Sequence, residues 1–166
     1  MRLLKLLYLA ERKCLGESGG PMTGSAVVAM KRGPVLEDVF SLIRQQHAET
    51  PEWSKFFHTD HYELVMVSDP GNLRLTPFIV DTLNSIATMH EEHDEFDMVD
   101  FTHTLPEWIK NDPGSSSRPI PLKDILEAVG RGDQLQEIVE FARQKAASAR
   151  LNLELSRTPT DVPASV

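Results

Sequence analysis

Apolar positions in the first fifteen residues recur at helical spacing: Leu3, Leu4, Leu7 and Ala10 share a face, with Leu6 and Cys14 beside it. That recurrence predicts a helix over Met1–Leu15 that stops at Gly16. Gly16–Gly24 contains Pro21 and no apolar period, and reads as a turn region. Ala26–Met30 is short, apolar and partly β-branched, the pattern of a strand. Gly33-Pro34 then reads as a helix start, because proline's missing N–H costs nothing in a first turn. Glu37 and Asp38 fall where a helix dipole favours acids, and Val35, Val39, Leu42 and Ile43 form the inward stripe of a helix that frays near Gln46.

Further along, Tyr62–Val67 and Asn72–Thr76 flank Ser68-Asp69-Pro70-Gly71, which predicts a hairpin closed by the Pro-Gly turn. Thr76 is a helix N-cap with Pro77 in the first position, and Ile79, Val80, Leu83, Ile86 and Ala87 keep the period. Short helices are expected over Asp94–Thr102 and Pro106–Ile109. Asn111–Pro121, rich in Gly, Ser and Pro, reads as a surface loop. Pro121 opens a helix through Val129, and Asp133 with Gln136 has the form of a capping box. A last helix carries Leu135, Ile138, Val139, Ala142 and Ala146 on one face, and the polar end Arg157–Val166 is expected to be disordered. The sum is a mainly α (α+β) fold: a compact helical domain over residues 1–150 with a small antiparallel β element, then a polar tail over 151–166.

Composition narrows the class. The chain has 166 residues, 40% hydrophobic and 25% charged, enough for one domain with its own core. A single cysteine, Cys14, excludes an internal disulfide and a multi-cysteine zinc site and suits a reducing cytoplasm. The longest early apolar run, Leu6–Ala10, is bracketed by Lys5 and Glu11, far short of the roughly 20 residues that span a bilayer. It is also shorter than the h-region of a signal peptide. Net charge is −8, and residues 37–112 hold sixteen acidic groups against four basic ones. Such a belt disfavours nucleic acid, whose binding rests on phosphate neutralisation. It can steer a basic protein partner, or simply keep the surface solvated.

Three segments, in order, resemble one family. They are Lys5-Leu6-Leu7-Tyr8-Leu9-Ala10-Glu11-Arg12; Pro21-Met22-Thr23-Gly24 with Met30-Lys31-Arg32-Gly33-Pro34-Val35; and Thr102-His103-Thr104-Leu105-Pro106-Glu107-Trp108. Together they are similar to the KLLYxA, PITG…MKHGPV and His…Trp elements of the Panacea (SocA-like) antitoxins, over roughly residues 3–128. Arg32 stands where that family often has His. The resemblance implies a non-enzymatic cytoplasmic antitoxin. It would neutralise a protein toxin from the adjacent gene, by occluding it or by delivering it to a cellular protease. No cofactor, nucleic acid or membrane is implied, and 166 residues leave no room for the extra DNA-binding domain that some members carry.

Candidate site residues have two readings each. Lys31, Arg32, Gly33 and Pro34 could present a recognition turn, or be a turn that needs Gly and Pro for its geometry. His103 and Trp108 could anchor a partner, or fill the core. Glu91, Glu92 and Asp94 belong to an acidic run without a base, suited to steering a basic toxin. His90 and His93 invite a metal-dependent hydrolase reading, but two His at i, i+3 are not the H-E-x-x-H arrangement, and no metal site is assigned. Cys14 lies among apolar neighbours, as a core residue would. With no nucleophile elbow, P-loop or dinucleotide fingerprint, no catalytic residue is assigned. A phage-associated regulatory accessory protein is the remaining alternative.

Overall fold

The structure, a computed structural model, describes residues 1–72, 74–140 and 143–144. Helix α1 (Arg2–Ser18) is the hub of the fold. Its leucines, alanine and long charged residues are strong helix formers, and it buries Tyr8, Leu9, Ala10, Cys14 and Leu15 together with Lys5 and Glu11. It ends at Gly19, whose φ of +71° is the left-handed cap that glycine supplies without strain. The expected stop at Gly16 is one turn early. A Cβ on Gly16 would make only ordinary contact with Val129 at 3.5 Å, so that glycine neither breaks the helix nor caps it.

Strands β1 (Val27–Met30), β2 (Gly33–Leu36) and β5 (Ser117–Ile120) form an antiparallel sheet in the order β2-β1-β5. Val27 and Ala29 of the central strand are buried, and the ladder pairs Met30 with Gly33 and Val27 with Ile120. Two expectations change here. Pro34 lies in β2, and helix α2 (Glu37–Ile43) begins three residues later with Glu37 and Asp38 in its first turn. The missing N–H of proline suits an outer strand as well as a helix start, so Pro34 alone does not discriminate between them. The expected loop Asn111–Pro121 likewise contains β5, with Pro119 on the other outer strand.

Helix α3 (Thr50–Trp53) leads to a second hairpin, β3 (Phe57–Asp60) with β4 (Glu63–Met66). The expected strand Tyr62–Val67 is largely present, but it pairs backward with β3 rather than forward across Pro70-Gly71. The turn is His61-Tyr62, with His61 at φ +52°. Phe57–Asp60 carries too little apolar alternation to announce a strand, and Asp69 Oδ1 instead closes a local turn by accepting from Gly71 N at 2.8 Å.

Helix α4 (Pro77–Met89) starts at the expected cap, with Thr76 Oγ1 accepting from Ile79 N at 3.4 Å. Helix α5 (Glu95–His103) starts at Asp94, which forms a full capping box with Asp97. Helices α6 (Pro106–Lys110) and α7 (Leu122–Ala128) follow. Asp133 lies within a 3-10 turn, Gly132–Gln134, in place of the capping box expected there, and residues 135–140 are helical. Ala142, Ala146 and the tail from 151 lie outside the described residues. Tyr8, Leu36, Met98, Ile125 and Leu126 are wholly buried in a core that α1 closes against α4, α5, α7 and β2. The fold is mainly α with a small antiparallel β element, and no helix among the described residues is long and apolar enough to cross a membrane.

Candidate functional site

The three sequence segments meet. Lys5 on α1 is 1% exposed and donates to Pro34 O at 2.9 Å, at the outer side of β2. Gly33 approaches the same place. A Cβ there would lie 2.5 Å from Thr102 Oγ1 and 3.2 Å from Lys5 Nζ, and φ is +95°, so only glycine fits. Tyr8 OH and Arg12 Nε both donate to Glu107 Oε1, at 2.6 Å each, which joins the first segment to the third. Glu11 Oε2 accepts from Thr23 N at 2.8 Å and from Thr23 Oγ1 at 2.9 Å, holding the Pro21–Gly24 turn.

His103 and Trp108 brace the β1–β2 turn from behind. Their rings stack 3.9 Å apart at 16°. Trp108 Nε1 points to Met30 O at 3.4 Å. Both are half-buried, and Trp108 packs on the hydrophobic core. Trp108→Ala is therefore expected to destabilise the fold by about 3 kcal/mol, the cost of emptying a large aromatic site. A thermal melt checks this, and an unchanged midpoint would take Trp108 out of the core.

Burial sets the protonation chemistry. It lowers the Lys5 ammonium to about 7, with no carboxylate in ion-pair distance among the described residues. It raises the Tyr8 phenol, with Glu107 adding to the effect, and it raises the Cys14 thiol, which suits packing and not nucleophilic attack. Burial also lowers His103, helped by Lys5, and His90, helped by His93 and Arg2.

Around the first turn of α1 lie two different surfaces. On one side Arg2 donates to the carbonyls of His90 and His93 at 2.8 Å, and so ties down the connection between α4 and α5. Glu91, Glu92 and Asp94 are exposed there, Asp94 also serving as the α5 cap. The His90 and His93 rings pair through Nδ1 atoms 3.1 Å apart. Among the described residues no third His, Cys, Asp or Glu joins them in a metal-holding group.

On the other side is an open groove of about 730 Å³ between α1, the β1–β2 turn, α2 and the β3–β4 hairpin. Leu3, Leu4, Phe40, Ile43 and Leu64 give it apolar walls, Lys5 lies at its floor, and Lys31 and Arg32 stand exposed on its rim. Tyr62 overhangs it, 96% exposed. Of the residues singled out in sequence, Lys31 and Arg32 thus face the groove. Gly33 and Pro34 are buried and shape the turn, His103 and Trp108 support it, and Glu91, Glu92 and Asp94 lie on the Arg2 side. The walls and Tyr62 escaped the sequence reading because they come from four separate elements with no shared motif.

The chain matches the family described as Antitoxin SocA-like, Panacea domain, over residues 3–109. No curated protein and no solved structure matches it.

Proposed function

Because the chain belongs to the SocA-like Panacea-domain family of antitoxins, we propose that it is the antitoxin of a toxin–antitoxin pair, a non-enzymatic cytoplasmic protein that binds and neutralises a protein toxin encoded by the adjacent gene. The observation that carries this reading is the family match, whose span includes every residue through which the three segments hold one another. The toxin-facing surface in this reading is the Lys31-Arg32 turn, shaped by Gly33 and Pro34 and braced by His103 and Trp108, together with the acidic Glu91, Glu92 and Asp94. Acids of this kind speed the encounter with a basic partner, and lasting affinity comes from desolvated anchors. One route to neutralisation is covering the toxin's working surface. The other route is delivery to a protease.

The adjacent gene product, expressed alone, is expected to arrest growth, and co-expression of this chain is expected to restore it. A neighbour harmless on its own, or one that stays toxic beside this chain, overturns the reading. Toxin level in the rescued cells separates the two routes: it persists under occlusion and disappears under proteolytic delivery.

A further inference from the structure

We propose that the groove beside the Lys31-Arg32 turn is the docking site for an apolar, carboxylate-bearing segment of the toxin, with the carboxylate lying against Lys31, Arg32 and Lys5. The inference rests on the antitoxin reading and adds to it which surface binds and what chemistry it accepts.

Charge complementarity singles out this occupant. In a chain of net charge −8, the exposed cations Lys31 and Arg32 converge with the buried Lys5 amine on one groove. Glu63 is the one carboxylate in its lining. Lys31 and Arg32 make no ion pair among the described residues. Lys5 is more demanding. Its ammonium is almost wholly buried, yet Pro34 O is its one hydrogen-bond partner among the described residues. A buried ammonium without a counter-charge is costly, which is why burial lowers Lys5 to about 7, and an arriving carboxylate favours its charged form.

The walls point the same way. A pocket of this size accommodates several apolar side chains. Tyr62 is held out over it by a turn in which His61 adopts φ +52°, a left-handed conformation that non-glycine residues rarely take. A large amphipathic ring offered at the mouth of an apolar groove is the composition of an interface anchor. The acidic α4–α5 connection flanks the same first turn of α1 through Arg2, so a toxin with a basic patch beside such a segment meets complementary charge on both sides.

The test uses the full chain and the product of the adjacent gene, purified as a complex, with binding measured by titration and the contact surface by hydrogen exchange. Tyr62→Ala and the double variant Lys31→Glu/Arg32→Glu alter exposed side chains and are expected to leave melting unchanged. Each is expected to weaken toxin binding at least tenfold, with protection on formation of the complex falling at residues 1–5, 30–35 and 59–64. Replacing the acids of the protected toxin segment by their amides is expected to weaken binding similarly. The proposal is overturned if both variants bind within twofold of wild type, if protection is confined to residues 90–97, or if the amide replacements have no effect. It is also overturned if the chain alone dimerises and Tyr62→Ala abolishes the dimer, because the occupant is then a second copy. Growth rescue by wild type and by both variants alike defeats this inference alone, whereas absence of rescue by wild type defeats the antitoxin reading beneath it.

Discussion

Glu107→Ala is expected to destabilise the protein by about 3 kcal/mol, the scale of breaking a buried charged hydrogen-bond pair by removing one partner. The Glu107 side chain is fully buried, and its Oε1 is the acceptor of both Tyr8 OH and Arg12 Nε. Truncation leaves a wholly buried phenol without its acceptor and turns the Arg12 guanidinium, 24% exposed, toward water. It also loosens the contact between α1 and α6 that joins the first and third segments. Glu107→Gln keeps an acceptor for Tyr8 and is expected to cost roughly 1–2 kcal/mol, close to the worth of a hydrogen bond to a charged group. Urea unfolding of the two variants beside wild type measures both. An alanine variant within about 0.5 kcal/mol of wild type would show that the pair holds nothing together.

The second large effect is a stability that rises with pH where most proteins are indifferent to it. Lys5 is held at about 7 by burial, against an ordinary value of 10.5. The folded state therefore releases this proton near pH 7, while the unfolded chain keeps it until pH 10.5. Between those limits the unfolded state binds more protons, so stability climbs with pH, by about 2 kcal/mol from pH 7 to 9. Below pH 7 both states are charged, the cost of the buried ammonium is paid in full and the slope ends. The window is free of the other shifted groups. His90 and His103 are lowered from 6.5, so their own slope of the same sign lies below that value. Cys14 and Tyr8 are raised from 9.0 and 10.0, so they reduce stability only above those values. Urea midpoints are expected to rise from pH 7 to 9 in wild type and to stay level in Lys5→Met. A level wild-type profile would mean that Lys5 is not buried as described.

Much of the fold was legible because its signals are local. Thr76-Pro77 is cap chemistry that acts within one turn, and the structure uses it at its expected place, while the short helix expected over Asp94–Thr102 is present as α5. Pro34 and the β3–β4 hairpin were not legible for the opposite reason. A proline is equally at ease in an outer strand and in a first helical turn, and only the pairing of Ala29 with Pro34 decides between them. Phe57–Asp60 becomes a strand because β4 is beside it. The same division runs through the candidate site. The Lys31-Arg32 turn stands out in the sequence, whereas Lys5 reads there as the flank of an apolar run. Its burial under β2 is a property of the fold, as is the groove that Leu3, Phe40, Tyr62 and Leu64 enclose together.

The two outer strands of the three-stranded sheet each carry a proline, Pro34 on one and Pro119 on the other. The two-residue turn makes Met30 and Gly33 the hydrogen-bonded pair, which leaves Ala29 and Pro34 as the next, non-bonded pair, with the Pro34 backbone directed away from β1. A strand laid against β2 would find no donor at Pro34 and an acceptor already occupied by Lys5. The sheet is closed to extension on that side by a missing proton and a lysine, which protects the protein against edge-to-edge aggregation. It also removes the generic route by which one backbone recognises another. A partner at this face must be read through side chains, so small surface substitutions can change which partner is accepted while the ladder beneath stays as it is.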